Sequence, residues 1–133
     1  MGKMEIRKLG KPSGQSMKID FKKGLIKAKM ATISFLDHDH NIAYLPALDL
    51  SGYGDSKEEA FQMLNELLET VFDTFMVLTE RQVHQELSKL GWHKDRYRKR
   101  KYIGAFVDAK GILNNFDLPN TTEVCIEMVE VSG

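Results

Sequence analysis

Between Ser56 and Met76 the chain commits to a helix more firmly than anywhere else, and that helix limits what the rest can be. Ser56-Lys57-Glu58-Glu59 has the spacing of a capping box: the serine hydroxyl accepts from the Glu59 amide while the Glu59 carboxylate reaches back toward the cap. Asp55, just outside, adds negative charge at the positive end of the helix dipole. Ala60, Phe61, Leu64, Leu67, Leu68, Val71, Phe72, Phe75 and Met76 then recur at steps of three and four, which makes one face apolar over about five turns. A stripe this wide is not left in water. It needs a sheet to cover, so the expected fold class is α/β in the α+β sense: a small antiparallel-containing sheet with one main amphipathic helix packed on it, plus a second short helix and a C-terminal strand.

The sequence on either side supplies the sheet. From Lys27 to Leu36, residues Ala28, Met30, Thr32 and Ser34 alternate with Lys29, Ala31, Ile33 and Phe35, which predicts a strand. Asp37-His38-Asp39-His40-Asn41 is a run of turn formers, and Ile42-Ala43-Tyr44-Leu45 resumes the extended pattern, so the two runs form a β-hairpin. Pro46 removes a ladder donor and places an irregularity or a sheet edge there. Leu48 and Leu50 alternate with Asp49 until Gly52-Tyr53-Gly54 breaks the run. Downstream, Thr79-Glu80-Arg81-Gln82 is a second capping box, Val83, Leu87 and Leu90 follow at steps of four and three, and Gly91 stands where a helix-ending glycine belongs. Tyr102 to Val107 reads equally as a strand or as part of a third helix. Pro119-Asn120-Thr121-Thr122 is a turn, and the alternating residues Glu123 to Val131 close with a strand.

Length and charge divide the chain further. One compact domain fits 133 residues. The formal net charge is zero, yet the charges are segregated. Residues 1–29 hold nine Lys/Arg against two acids, +7, and residues 30–91 hold three against eleven, −8. Residues 92–110 hold seven against two, +5, and residues 111–133 hold none against four, −4. The division expected is a basic N-terminal extension over 1–27, a core domain over 28–92, and a C-terminal extension over 93–133 packed on the core or exchanging with it. The lone cysteine, Cys125, builds no disulfide framework, and there is neither an 18-residue apolar run nor a signal-peptide core. A cytoplasmic protein with no membrane contact is the expectation.

Residues that carry chemistry are few. His38 and His40 lie two apart, interleaved with Asp37 and Asp39, but two ligands do not make a zinc centre and turn chemistry explains each residue. Cys125 sits in an apolar alternating run, where a thiol packs as a small hydrophobe. Gly52-x-Gly54 precedes a helix, but Asp55, Glu58 and Glu59 repel the phosphate such a loop would cradle. Asp37, Asp39, Asp49, Asp55 and Glu66 are scattered over turns, apart from Glu66, and do not assemble a two-metal centre. The chain therefore reads as a non-enzyme with no catalytic residue, cofactor or metal. Arg96, Arg98, Lys99, Arg100 and Lys101 are the candidates for contact with a partner or with DNA or RNA, since clustered cations bind phosphates without reading sequence.

The stretch from Ile42 to Ala60, IAYLPALDLSGYGDSKEEA, resembles the signature of the HicB-like antitoxin family. There a strand ends in a tyrosine, a hydrophobic residue and a proline, and a glycine-containing loop leads to a Gly-Asp-Ser/Thr helix start with Glu-Glu-Ala. Here the matching residues are Tyr44, Pro46, Gly52, Gly54, Asp55 and Glu59, and with the preceding strand and the helix the likeness spans about residues 28–76. Leu87-Ser88-Lys89-Leu90-Gly91-Trp92 is similar to the helix end of an uncharacterised bacterial subgroup of that family. The resemblance implies a three- or four-stranded sheet with one main helix, a partly degraded ribonuclease-H-like fold without its catalytic acids. It implies protein binding: masking of a small mRNA-cleaving toxin of the HicA type by a dimeric or tetrameric antitoxin. The basic N-terminal stretch and a C-terminal part without the usual DNA-binding module depart from that pattern.

Overall fold

The computed structural model describes residues 5–10, 14–97, 101–104 and 123–133. In chain order they form strands β1 (Glu5–Gly10), β2 (Ser16–Asp20), β3 (Leu25–Asp37), β4 (His40–Leu45) and β5 (Leu50–Gly54), helices α1 (Lys57–Val77) and α2 (Glu80–Lys89), and strands β6 (His93–Lys94), β7 (Lys101–Ile103) and β8 (Cys125–Ser132). The described strands make one eight-stranded sheet in the order β1-β8-β3-β2-β7-β6, with β4 on β3 and β5 on β4. Each of these pairings is antiparallel. The fold is α+β.

Strand β3 is long enough to serve three neighbours. One edge pairs with β8 from Lys27 to Ser34. The other pairs with β2 over Leu25 to Lys29 and with β4 over Ile33 to Asp37. Between those two partners the amide of Ala31 would be orphaned, and the buried Gln15 side chain closes the gap by accepting from it at 2.9 Å. At the far end the chain reverses through His38 and Asp39, with φ of 49° and 69°. Two consecutive residues of positive φ match the twist of a tight two-residue hairpin, for which Asp is well suited.

Register assigns every strand residue to a face. The inner face carries Met17, Ile19, Ile26, Ala28, Met30, Val129 and Val131, packed with Leu64, Leu68, Phe72 and Phe75 of α1 and Val83 and Leu87 of α2. The outer face carries a smaller apolar group in which Ile33 and Phe35 pack with Ile42, Tyr44, Val124 and Ile126. Trp92 ties α2 to the rest of the molecule, its indole N–H donating to the carbonyl of Ala47 at 2.7 Å inside the core.

The structure sharpens or changes the sequence reading in three regions. Pro46–Leu48 is a 3-10 turn, after which Asp49 at φ 51° reverses the chain. The residues after it fold back on β4 as β5, so Gly52 lies inside a strand and Gly54 is its last residue. The described part of residues 1–27 lies inside the sheet, because Met17 and Ile19 alternate with Lys18 and fill the core. Of Tyr102 to Val107, residues 101–103 are strand, and residues 105–122 fall outside the described part. With β1, β2, β6 and β7 added, the sheet is larger than the resemblance implies.

Candidate functional site

The motif residues converge on the junction between hairpin and helix. Ser56 accepts from the Glu59 amide at 3.1 Å, and Glu59 reaches one residue beyond the cap to accept from the Asp55 amide at 2.9 Å. Asn41 holds the same turn from β4 by donating to the Asp55 carbonyl at 3.2 Å. Gly52 lies directly beneath α1: a Cβ there would collide with the backbone carbonyl of Ala60 and stand 2.6 Å from the Leu64 nitrogen. At Gly54 it would stand 2.5 Å from the Glu59 Cβ. Tyr44 donates to Asp49 at 2.9 Å, bracing the turn that starts at Pro46. Burial, reinforced by the Asp49 carboxylate, pushes the Tyr44 hydroxyl up to about 12, so it stays neutral and donating. Tyr44, Pro46, Gly52, Gly54, Asp55 and Glu59 thus form a lock that seats α1 on β4 and β5.

Cations gather elsewhere, on the outer face of the other half of the sheet. Lys27 stands opposite Lys18, and Lys18 opposite Lys101. Three lysines therefore lie in one row across β3, β2 and β7, about 10 Å from end to end at normal strand spacing. Lys29, two residues along from Lys27, lies on the same face. Arg7 of β1 comes in from the other side, opposite Glu130 of β8. Glu130 is 9% exposed and bonded to Arg7 at 2.8 Å, with Lys27 at 3.8 Å. A depression of about 230 Å³ lies between Ser16, Lys18, Lys27, Lys29, Lys101 and Glu130. Lys18, Lys29 and Lys101 make no ion pair among the described residues.

Of the basic segment singled out in the sequence, Lys101 belongs to this row and Arg96 is exposed in the loop before it. Arg98, Lys99 and Arg100 lie outside the described residues. Arg7, Lys18, Lys27 and Lys29 escaped the sequence reading of the site. The signal for the three lysines was alternation: Met17-Lys18-Ile19 and Ile26-Lys27-Ala28-Lys29-Met30 each put lysine on the face opposite the core.

The helical side has the opposite sign. Glu58, Glu59, Glu66, Glu69 and Asp73 are exposed on α1, whose sole cation, Lys57, pairs with Glu127 at 3.5 Å. A groove of about 650 Å³ runs between α1 and α2 over Val71, Phe75 and Leu78. The remaining sequence candidates are dispersed. His38 is exposed on the hairpin turn and bonded to Asp37 at 2.6 Å, and His40 is exposed on β4. Cys125 is exposed rather than packed, because it shares a strand face with Glu127 two residues on and bonds to that carboxylate at 3.4 Å. Among the described residues no three His, Cys, Asp or Glu side chains gather as a metal site, and no helix is long and apolar enough to cross a membrane. The chain matches no family model, no curated protein and no solved structure.

Proposed function

We propose that the protein is a non-catalytic binding module of the HicB-like kind, an antitoxin that masks a small basic HicA-type toxin and works in the cytoplasm as a dimer or tetramer. The observation that carries this reading is the acidic outward surface of α1, where Glu58, Glu59, Glu66, Glu69 and Asp73 stand exposed. Such a surface complements a basic partner, steering its approach and suppressing wrong ones. The lock formed by Tyr44, Gly52, Gly54 and Glu59 supports the reading, since it gives the quoted motif a physical purpose in holding that helix still.

The test uses the reading frame that flanks the gene. It should encode a short basic protein whose expression alone arrests growth and degrades mRNA, and co-expression of this chain should relieve both. Reversing Glu66, Glu69 and Asp73 together to lysine should weaken the complex at least about tenfold, since exchanging several rim charges changes steering and register together. A flanking product that neither binds in calorimetry nor affects growth sinks the antitoxin reading.

A further inference from the structure

We propose that the outer face of β2, β3 and β7 is a docking surface for the phosphate backbone of duplex nucleic acid, built from Lys18, Lys27, Lys29 and Lys101 with Arg7 at its margin. It goes beyond the antitoxin reading and uses the opposite side of the molecule.

The lysine row carries a cost. Like charges directly opposite on neighbouring strands destabilise a sheet, and this sheet places two such pairs side by side, Lys27 with Lys18 and Lys18 with Lys101. The chain holds acids enough to pair them, since it has as many as it has Lys and Arg. Among the described residues, Glu130 is the acid lining this depression, and it is already engaged by Arg7 and Lys27; Asp20, two residues along β2 from Lys18, turns to the following loop and accepts from the Lys22 and Lys23 amides at 3.1 Å. Two basic blocks separated by the 62 residues 30–91 thus each contribute to one face, Lys18, Lys27 and Lys29 from the first and Lys101 from the second, through the pairing of β2 with β7. The face offers several like charges with no described counter-ion for Lys18, Lys29 or Lys101.

The side-chain types select the occupant. Lysines are compact, hydrated point charges on flexible stems, suited to phosphate oxygens whose positions vary. A peptide of mixed composition would present such a row with gaps, whereas a duplex carries a charge about every 1.7 Å of its axis. Among the described residues lining the depression there is no aromatic ring, and so no stacking platform of the kind single strands use. Contact with phosphates alone is blind to base sequence.

The experiment is fluorescence anisotropy on the full chain with a labelled mixed-sequence DNA duplex of about 30 base pairs. If Lys18, Lys29 and Lys101 each neutralise one phosphate, the slope of log K against log salt is about −2.7, and affinity falls about 40-fold between about 50 and 200 mM salt. The triple variant K18Q/K29Q/K101Q should lose that slope and bind at least about tenfold more weakly at low salt. Because it relieves repulsion, it should melt no lower than the parent, which separates lost binding from lost folding. The variant K57Q/R81Q/K89Q removes the same charge from the helical side and should bind as the parent does. Equal losses in the two variants would overturn the proposal by showing that net charge alone matters. So would absence of duplex binding at low salt, tighter binding of a single strand of the same sequence, or light scattering in which the lysine row drives salt-sensitive self-association.

Discussion

Gln15 shows how one polar side chain completes a sheet that two strands leave open. Its buried carboxamide oxygen accepts from the Ala31 amide, and its own carbonyl accepts from Gly104 at 3.1 Å. Gln15→Leu keeps the volume and removes the acceptor, leaving a buried amide unsatisfied. The expected cost is about 1–3 kcal/mol in a denaturant titration, with faster hydrogen exchange at Ala31 than at its neighbours. Unchanged stability and exchange would mean that water reaches the gap. Nothing in the sequence marked this residue, because Gln15 precedes its strand and its partner lies 16 residues away. Local signals were legible where the interaction itself is local. Thr79 and Gln82 exchange both bonds of a capping box at 3.2 and 2.9 Å, as their spacing predicts. Tyr102 was beyond reach for the same reason as Gln15: it is 1% exposed, and only the pairing of β7 with β2 puts it in the core.

Element by element, helix α1 was readable from its stripe, and Ala60, Leu64, Leu68, Phe72 and Phe75 are buried as that stripe requires. Strand β5 was not readable as a strand, because two of its five residues are glycines, which weaken a strand interior. Their place is set by packing that no local pattern encodes: α1 lies so close that a methyl group at Gly52 meets helix backbone. Gly52→Ala should therefore push α1 off the sheet and cost more than a core truncation. Leu68→Ala should lose about 2–5 kcal/mol by leaving a cavity. Gly52→Ala should exceed that in the same denaturant titration, and a change under about 1 kcal/mol would place α1 farther from β5 than described. The basic row was half legible for a similar reason. Its lysines could be assigned to strands by alternation, but register decides that three of them become neighbours.

At the scale of the whole molecule, charge segregation along the sequence becomes, among the described residues, segregation in space, with a row of cations on the outer sheet face and a run of carboxylates on α1. Repulsion within the lysine row should make stability rise with salt. Two opposed like-charge pairs of a few tenths of a kcal/mol each correspond to about 3 °C for a chain of this length. That rise in melting temperature should develop between about 10 and 300 mM sodium chloride, as the screening length shortens. Lys18→Gln, which breaks both pairs, should raise the low-salt value and flatten the curve; a parent melting temperature independent of salt would show that the row carries no strain. The topology has a separate consequence for the order in which the molecule is made. On a ribosome the hairpin β3-β4, β5 and α1 are close in sequence and can assemble early, but β1 pairs only with β8 among the described strands. The contact between Arg7 and Glu130 spans 123 residues. Until β8 emerges, an edge of β3 from Lys27 to Ser34 stays bare, a template for any other strand in reach. From the translation of β3 until that of β8 the nascent chain therefore carries its central strand half-paired, and its period of greatest exposure to aggregation ends only when β8 is made.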